Sequence, residues 1–227
     1  MSFDDLEQTL KLKFKDKTLI NQAFIHRSYL NEAKKHIESN ERLEFLGDSI
    51  LSFLISTYLY SEYPDLPEGQ LTALRSSVVN TKTLAAIALS LNLGELLKLS
   101  KGEDEGGGRT NISILADTFE SLLGAVYLDK GLDEVRQILA RFLIPMLSDI
   151  ISKKTYKDAK SSFQEIIQEK FRISPAYKVL GEKGPDHAKT FTVGVFVDDV
   201  LYGKGLGKSK QEAEQFAAEE ALATWLR

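Results

Sequence analysis

Two pairs of acidic side chains stand where apolar helices have no packing use for them. Between Leu43 and Leu59 apolar residues fall on nearly every side, yet the segment carries Glu44 and Asp48, four apart and therefore one above the other on a single helical face, with Glu41 one turn earlier. A second apolar segment, Ile112 to Leu128, carries Asp117 and Glu120, three apart and again on one face. An isolated buried carboxylate is costly, and like charges held together cannot all ionise unaided. A hard divalent cation compensates them best, because Mg2+ and Mn2+ prefer oxygen ligands and keep waters for a substrate or a nucleophile. If the two helices pack face to face, their four carboxylates form a metal site. The competing reading makes the acids solvated surface charges or partners of Arg42 or Arg75.

The elements that must position these acids are helical as far as Ser152. Apolar residues recur at spacings of three and four over residues 17–30, 43–60, 71–91, 112–128 and 132–150. Turn chemistry separates them at residues 63–69, 101–109 and 129–131, and Asn40 is placed as the N-cap of the helix bearing the first acidic pair. Residues 101–109 read as a mobile acidic loop that lacks the Gly-Lys-Ser/Thr ending of a phosphate-binding loop, so no nucleotide cofactor is expected. Arg109 stands between two readings, a contact to a nucleic acid and a solvated charge. His26 reads as a local structural hydrogen bond.

Beyond a short polar run the pattern changes. Residues 161–171 form an amphipathic helix, 176–182, 190–197 and 200–205 read as strands, and Asp198-Asp199 makes a tight hairpin turn. Residues 208–226 form an alanine-rich helix with Ala213, Phe216, Ala217, Ala221, Leu222 and Trp225 on its apolar stripe. The fold class is thus an all-α N-terminal domain, residues 1–151, a linker over 152–158, and an α+β domain of order α-β-β-β-α over 159–227. Phe191, Phe196 and Tyr202 are assigned to packing in preference to stacking on bases.

Composition narrows the setting. The chain has 227 residues, 43% hydrophobic and 27% charged, enough for two domains with separate cores. It has no cysteine, which excludes disulfides and thiolate metal sites and suits a reducing cytoplasm. No stretch has the length of a membrane span and the first residues lack the pattern of a signal peptide, so a cytoplasmic location is expected. The net charge of −4 is unevenly spread: residues 156–227 hold 11 basic and 11 acidic side chains, leaving 18 against 22 before them. Any polyanion must therefore be met by a local basic patch.

The stretch NERLEFLGDSIL at 40–51 resembles the signature of the ribonuclease III family, and ADTFESLLGAVYLDKG at 116–131 resembles its second catalytic motif. The C-terminal part resembles a double-stranded RNA-binding domain. The resemblance implies that Glu44, Asp48, Asp117 and Glu120 are the active-site acids. Glu44, Asp117 and Glu120 would ligate Mg2+, with Mn2+ able to substitute, while Asp48 and Glu120 would orient water or carry protons. It implies hydrolysis of both strands of double-stranded RNA to 5′-phosphate and 3′-hydroxyl ends, during processing of ribosomal, messenger and transfer RNA precursors. A homodimer is implied as well, with Glu41 and Glu68 as further acids near the valley between subunits. In the C-terminal domain the same resemblance assigns RNA contacts to Gln164, His187, Lys189, Lys208, Ser209 and Lys210. These are spaced to read A-form shape more than base sequence. A non-cleaving RNA-binding regulator is the alternative; a di-iron carboxylate bundle is discounted because neither acidic pair carries a Glu-x-x-His ligand set.

Overall fold

The computed structural model describes residues 1–33, 37–152, 159–185 and 189–225. The chain divides into two compact units, Met1–Lys154 and Thr155–Arg227.

In the first unit the elements are α1 (Phe3–Leu10), α2 (Lys17–Ala23), α3 (Glu41–Glu62), α4 (Glu68–Val78), α5 (Thr81–Ser90), α6 (Lys101–Glu105), α7 (Ile112–Lys130), α8 (Leu132–Phe142) and α9 (Ile144–Ser152). Short 3-10 turns lie at Arg27–Asn31, Leu93–Leu96 and Gly108–Thr110. Helix α7 is the centre: it packs against α2, α3, α5 and α8, and Leu115, Phe119, Leu122, Leu123, Ala125 and Val126 are sealed from solvent on different sides of it. A helix apolar all round has to be enclosed in this way.

The long apolar stretches are more divided than their periodicity predicts. Residues 71–91 belong to two helices, because Asn80 leaves helical geometry and its side chain accepts the N–H of Thr83, capping α5. Residues 132–150 likewise split into α8 and α9 at Leu143, and Pro145 follows in the first turn of α9, where a missing N–H costs nothing. Residues 17–30 contain α2 and then a 3-10 turn, separated by a parallel bridge between Ile25 and Lys98. Helix α1 was not evident from periodicity; a capping box between Ser2 and Asp5 starts it.

Residues 101–109 are not a loose loop. Arg109 donates from Nε and Nη2 to the two oxygens of Asp104, each at 2.8 Å, and from Nη1 to the carbonyls of Gly94 and Leu97. This bidentate grip folds α6 back on the Gly108–Thr110 turn and commits Arg109 within the protein, so it is described by neither of its two readings, a nucleic-acid contact or a solvated charge.

The second unit holds α10 (Ala159–Phe171), β1 (Ala176–Lys183), β2 (Thr190–Val197), β3 (Val200–Gly207) and α11 (Lys210–Trp225). The strands form one antiparallel sheet in the order β1-β2-β3. Asp198 and Asp199 both take positive φ, 47° and 61°, the tight hairpin geometry that joins β2 to β3. Phe163, Ile167, Val195, Val197, Ala217 and Ala221 make the core, with Tyr202 and Trp225 packed beside Phe163. Alanines recur on α11 because its backbone lies directly on β3: a Cβ at Gly205 would fall 2.0 Å from the carbonyl oxygen of Ala213. The expected stripe is corrected at one point. Phe216 is exposed, and Ala218 takes a buried place.

Candidate active site

The two acidic pairs are carried by α3 and α7, and these helices cross at glycines. A Cβ at Gly47 would meet the carbonyl oxygen of Glu120 at 1.8 Å, and one at Gly124 would meet that of Leu43 at 2.2 Å. Backbones this close bring side chains one turn away on either helix into a shared space. Asn40 secures the start of α3 there. It occupies the N-cap position, as the sequence predicts, but in an αR conformation and without a capping bond from its side chain. Buried instead, it donates its N–H to the Ile25 carbonyl at 2.8 Å and directs Nδ2 to the Ala23 carbonyl at 3.4 Å. Its own carbonyl accepts the Ser121 hydroxyl of α7 at 3.2 Å. The need to dock α3 on two neighbours has overridden the capping preference of asparagine.

In this frame Glu44, Asp117 and Glu120 converge, each offering one carboxylate oxygen, and all three oxygens lie within 4.8 Å of one another. Oxygens on one Mg2+ lie at about 2.1 Å from it and so no more than ~4.2 Å apart. A small side-chain adjustment thus suffices for a hard cation, and an all-oxygen donor set suits one. Among the described residues none of the four acids is in an ion pair, and Arg75 donates to the Ser56 hydroxyl, so the reading of these acids as partners of Arg42 or Arg75 fails.

Their electrostatics are those of partly buried carboxyls crowded on one another. Burial, reinforced by the charges of Asp48, Asp117 and Glu44, pushes the Glu120 carboxyl up to about 8. Burial also raises Glu44, together with Asp117, Glu41 and Asp48, and it raises Asp117 against the opposing influence of His26 and Arg27. Asp48 itself is exposed, one turn beyond Glu44.

The sign of the resulting pH dependence follows directly. Carboxyls raised in the folded state hold protons that the unfolded chain has already lost, so their contribution to metal-free stability is greatest at low pH. It declines as pH rises from the ordinary glutamate value towards about 8. A cation competes with those protons. At a concentration ten times its Kd at pH 8, Mn2+ or Mg2+ is expected to raise the melting temperature by about 3–6 °C near pH 8, and the same concentration much less near pH 5.5. Scanning fluorimetry with metal or chelator at both pH values checks this; equal shifts would contradict it.

The remaining assigned residues are dispersed. Glu41 lies at the start of α3, accepts the Ser39 hydroxyl at 2.7 Å, and lines the cavity that Glu44 and Asp117 face. Glu68 opens α4, exposed and accepting from Thr72, and is not among that cavity's lining side chains. On the second unit Gln164 is exposed on α10. Lys208, Ser209 and Lys210 are exposed at the start of α11. The Ser209 hydroxyl accepts the N–H of Glu212 at 3.1 Å, a helix-capping role that still leaves its O–H to donate. The Lys210 ammonium lies 5.7 Å from the Phe191 ring centroid, and Lys189 is 3.7 Å from Glu182. His187 lies outside the described residues.

Sequence reasoning passed over His26 and Arg27. His26 does make the local bond expected of it, through Nδ1 and the Ser28 hydroxyl at 2.8 Å, but both side chains also line the cavity of Glu44 and Asp117. Their only signal in the sequence is two polar residues directly after the buried run Ala23-Phe24-Ile25.

Comparison with known proteins accords with this arrangement. A family model described as ribonuclease-III-like matches residues 16–147, and one for the double-stranded RNA binding motif matches residues 159–224. The chain is 44% identical over 218 residues to a protein named ribonuclease 3 from Pelotomaculum thermopropionicum, covering 96% of this chain and 90% of that one. It is 46% identical over 218 residues to the ribonuclease 3 of Caldanaerobacter subterraneus, covering 96% of each. The solved nuclease domain of Campylobacter jejuni ribonuclease III, whose description refers to a region involved in dimer formation, superposes with a TM-score of 0.59 at 39% identity over 63% of this chain and 96% of that domain. With both domain models matched in order and relatives aligned along nearly its whole length, the chain belongs to the ribonuclease III family of double-stranded RNA endoribonucleases.

Proposed function

We propose that the chain hydrolyses both strands of duplex RNA in a Mg2+-dependent reaction that leaves 5′-phosphate and 3′-hydroxyl ends. The observation that carries this reading is the convergence of Glu44, Asp117 and Glu120 at the crossing of α3 and α7. These three would hold the cation, whose chemistry is to lower the pKa of water and offset charge gathering on the phosphate. Asp48 and Glu120 accept hydrogens from the attacking water and so orient its lone pair towards phosphorus. As the water oxygen bonds to phosphorus the bond to the 3′ oxygen breaks, and a proton passes to that oxygen; the phosphate therefore stays on the 5′ side.

A homodimer fits the same reading. Helix α3 buries Leu51, Leu54, Ile55 and Leu59 but exposes Phe45 at 77%, Phe53 at 57% and Tyr60 at 76%. Spaced eight and seven residues apart, these aromatics form one stripe along the helix, which a two-fold partner would cover. Two centres related by a two-fold axis match the symmetry of antiparallel strands. Glu41 and Glu68 would then border the valley. Structured ribosomal, messenger and transfer RNA precursors in the cytoplasm are the substrates this reading implies. Among the described residues no helix is long and apolar enough to cross a membrane.

The test is cleavage of labelled duplex RNA in Mg2+ and in chelator, with single-stranded RNA and duplex DNA as controls. Metal-dependent cutting of the RNA duplex alone is expected; tight binding without cutting would favour a regulatory RNA-binding protein. For the second unit, Lys208→Ala with Lys210→Ala is expected to weaken binding about tenfold for every duplex sequence and lower the salt slope by up to two units. An unchanged slope in a filter-binding titration would remove these lysines from the phosphate contacts.

A further inference from the structure

The cavity beside the acidic cluster encloses about 770 Å3, within the range of pockets that receive nucleotide-sized groups. Among the described residues its wall carries the carboxylates of Glu41, Glu44, Glu103 and Asp117 and one permanent positive charge, the guanidinium of Arg27. A backbone phosphate entering here meets an acidic field that cations at the cluster would only partly offset. Arg27 is exposed, takes part in no ion pair among the described residues, and is close enough to Glu44 and Asp117 for its charge to act on both carboxyls. It differs in this from Arg109, whose donors are spent inside the protein.

The segment that presents Arg27 is fixed. The backbone N–H of Ser28 points at His26 Nδ1 at 3.3 Å, so that nitrogen is an acceptor and the imidazole carries its proton on Nε2 when neutral. The Ser28 hydroxyl lies 2.8 Å from the same Nδ1 and accepts the N–H of Ser100 at 3.0 Å. His26 N–H is itself bonded to the Lys98 carbonyl at 3.1 Å. A cation on so anchored a turn is presented to the cavity with little backbone freedom to lose.

We propose that Arg27 is a substrate-binding residue, whose guanidinium holds a backbone phosphate of the RNA strand in the cavity beside Glu44 and Asp117. Arginine suits the task because its planar fork can donate two parallel hydrogen bonds to phosphate oxygens. Placed next to the cluster, it registers the strand so that the scissile phosphate, not its neighbour, reaches the acids.

This inference rests on the nuclease reading, and the experiment separates the two. Steady-state cleavage of duplex RNA is measured across a salt series for the full chain and for Arg27→Gln and Arg27→Lys, with Mn2+ binding followed by calorimetry. The parent must first cut duplex RNA; if it does not, the nuclease reading itself falls. Given a cutting parent, Arg27→Gln is expected to lower kcat/KM by about tenfold to a hundredfold. It should reduce the salt slope of kcat/KM by about one unit while Mn2+ affinity stays within about twofold. Arg27→Lys should restore the salt slope but only part of the rate, since the charge returns without the fork. An unaltered kcat/KM and slope in Arg27→Gln would overturn the proposal, as would a rate loss accompanied by weakened Mn2+ binding. That second outcome would assign Arg27 to supporting the carboxylates.

Discussion

Glu120→Gln is expected to reduce kcat by at least about a thousandfold while duplex binding changes by less than about twofold. The amide keeps the shape of the side chain and removes the charge from the most buried of the clustering carboxyls, which would withdraw the proposed cation ligand and the proposed acceptor for the water at once. A thousandfold corresponds to about 4 kcal/mol of transition-state stabilisation, within what a metal and its ligands supply. Binding is spared because the residues assigned to RNA contact on α10 and α11 belong to a separate unit. The same substitution should raise the melting temperature of the metal-free protein near pH 8, since a group that resists ionisation there is replaced by one that is always neutral. A gain in stability with a loss of turnover is the signature of a site that has traded one for the other. Normal turnover in single-turnover assays with excess enzyme would sink the assignment, and a large loss of duplex affinity would show that the side chain does something other than hold the metal.

Gly47→Ala should be nearly as damaging, although glycine carries no chemistry. The added methyl would lie 1.8 Å from the Glu120 carbonyl oxygen and 2.6 Å from its carbon, both backbone atoms in the middle of α7 that cannot rotate away. Helices α3 and α7 must separate instead, carrying Glu44 from Asp117 and Glu120. Overpacking of this kind costs about 1–3 kcal/mol, and a displacement of ~1 Å at a reacting centre can cost about a hundredfold in rate. Gly124→Ala, which would press a methyl on the Leu43 carbonyl from the other helix, should behave alike. Gly69→Ala is the control, because nothing lies within 4 Å of a Cβ there. Melting curves and Mn2+ affinity distinguish a displaced site from an unfolded one. A Gly47→Ala protein that melts normally and binds Mn2+ normally would show that the close crossing does not set the carboxylate geometry.

What the sequence marked by itself was the family and the acidic residues proposed to carry its chemistry. Carboxylates on apolar helices are conspicuous because burial penalises them, so Glu44, Asp48, Asp117 and Glu120 stood out before any fold was known. The strands of the second unit were equally plain: β2 was bounded correctly at both ends, and Asp198-Asp199 marked its turn, because alternation and turn chemistry are local properties. Helix breaks inside continuous apolar runs were not, since periodicity persists across a capped break such as that at Asn80. Tertiary structure alone decided which acids meet. Glu44, Asp117 and Glu120 converge because two glycines far apart in sequence let their helices touch, while Glu68 opens a different helix, away from the cavity. It also decided the fate of the arginines, since Arg109 is consumed by backbone carbonyls and Asp104 while Arg27 remains beside the cluster. Whether a charge is spent or available depends on what the rest of the chain brings within hydrogen-bonding reach, and no local pattern in the sequence carries that information.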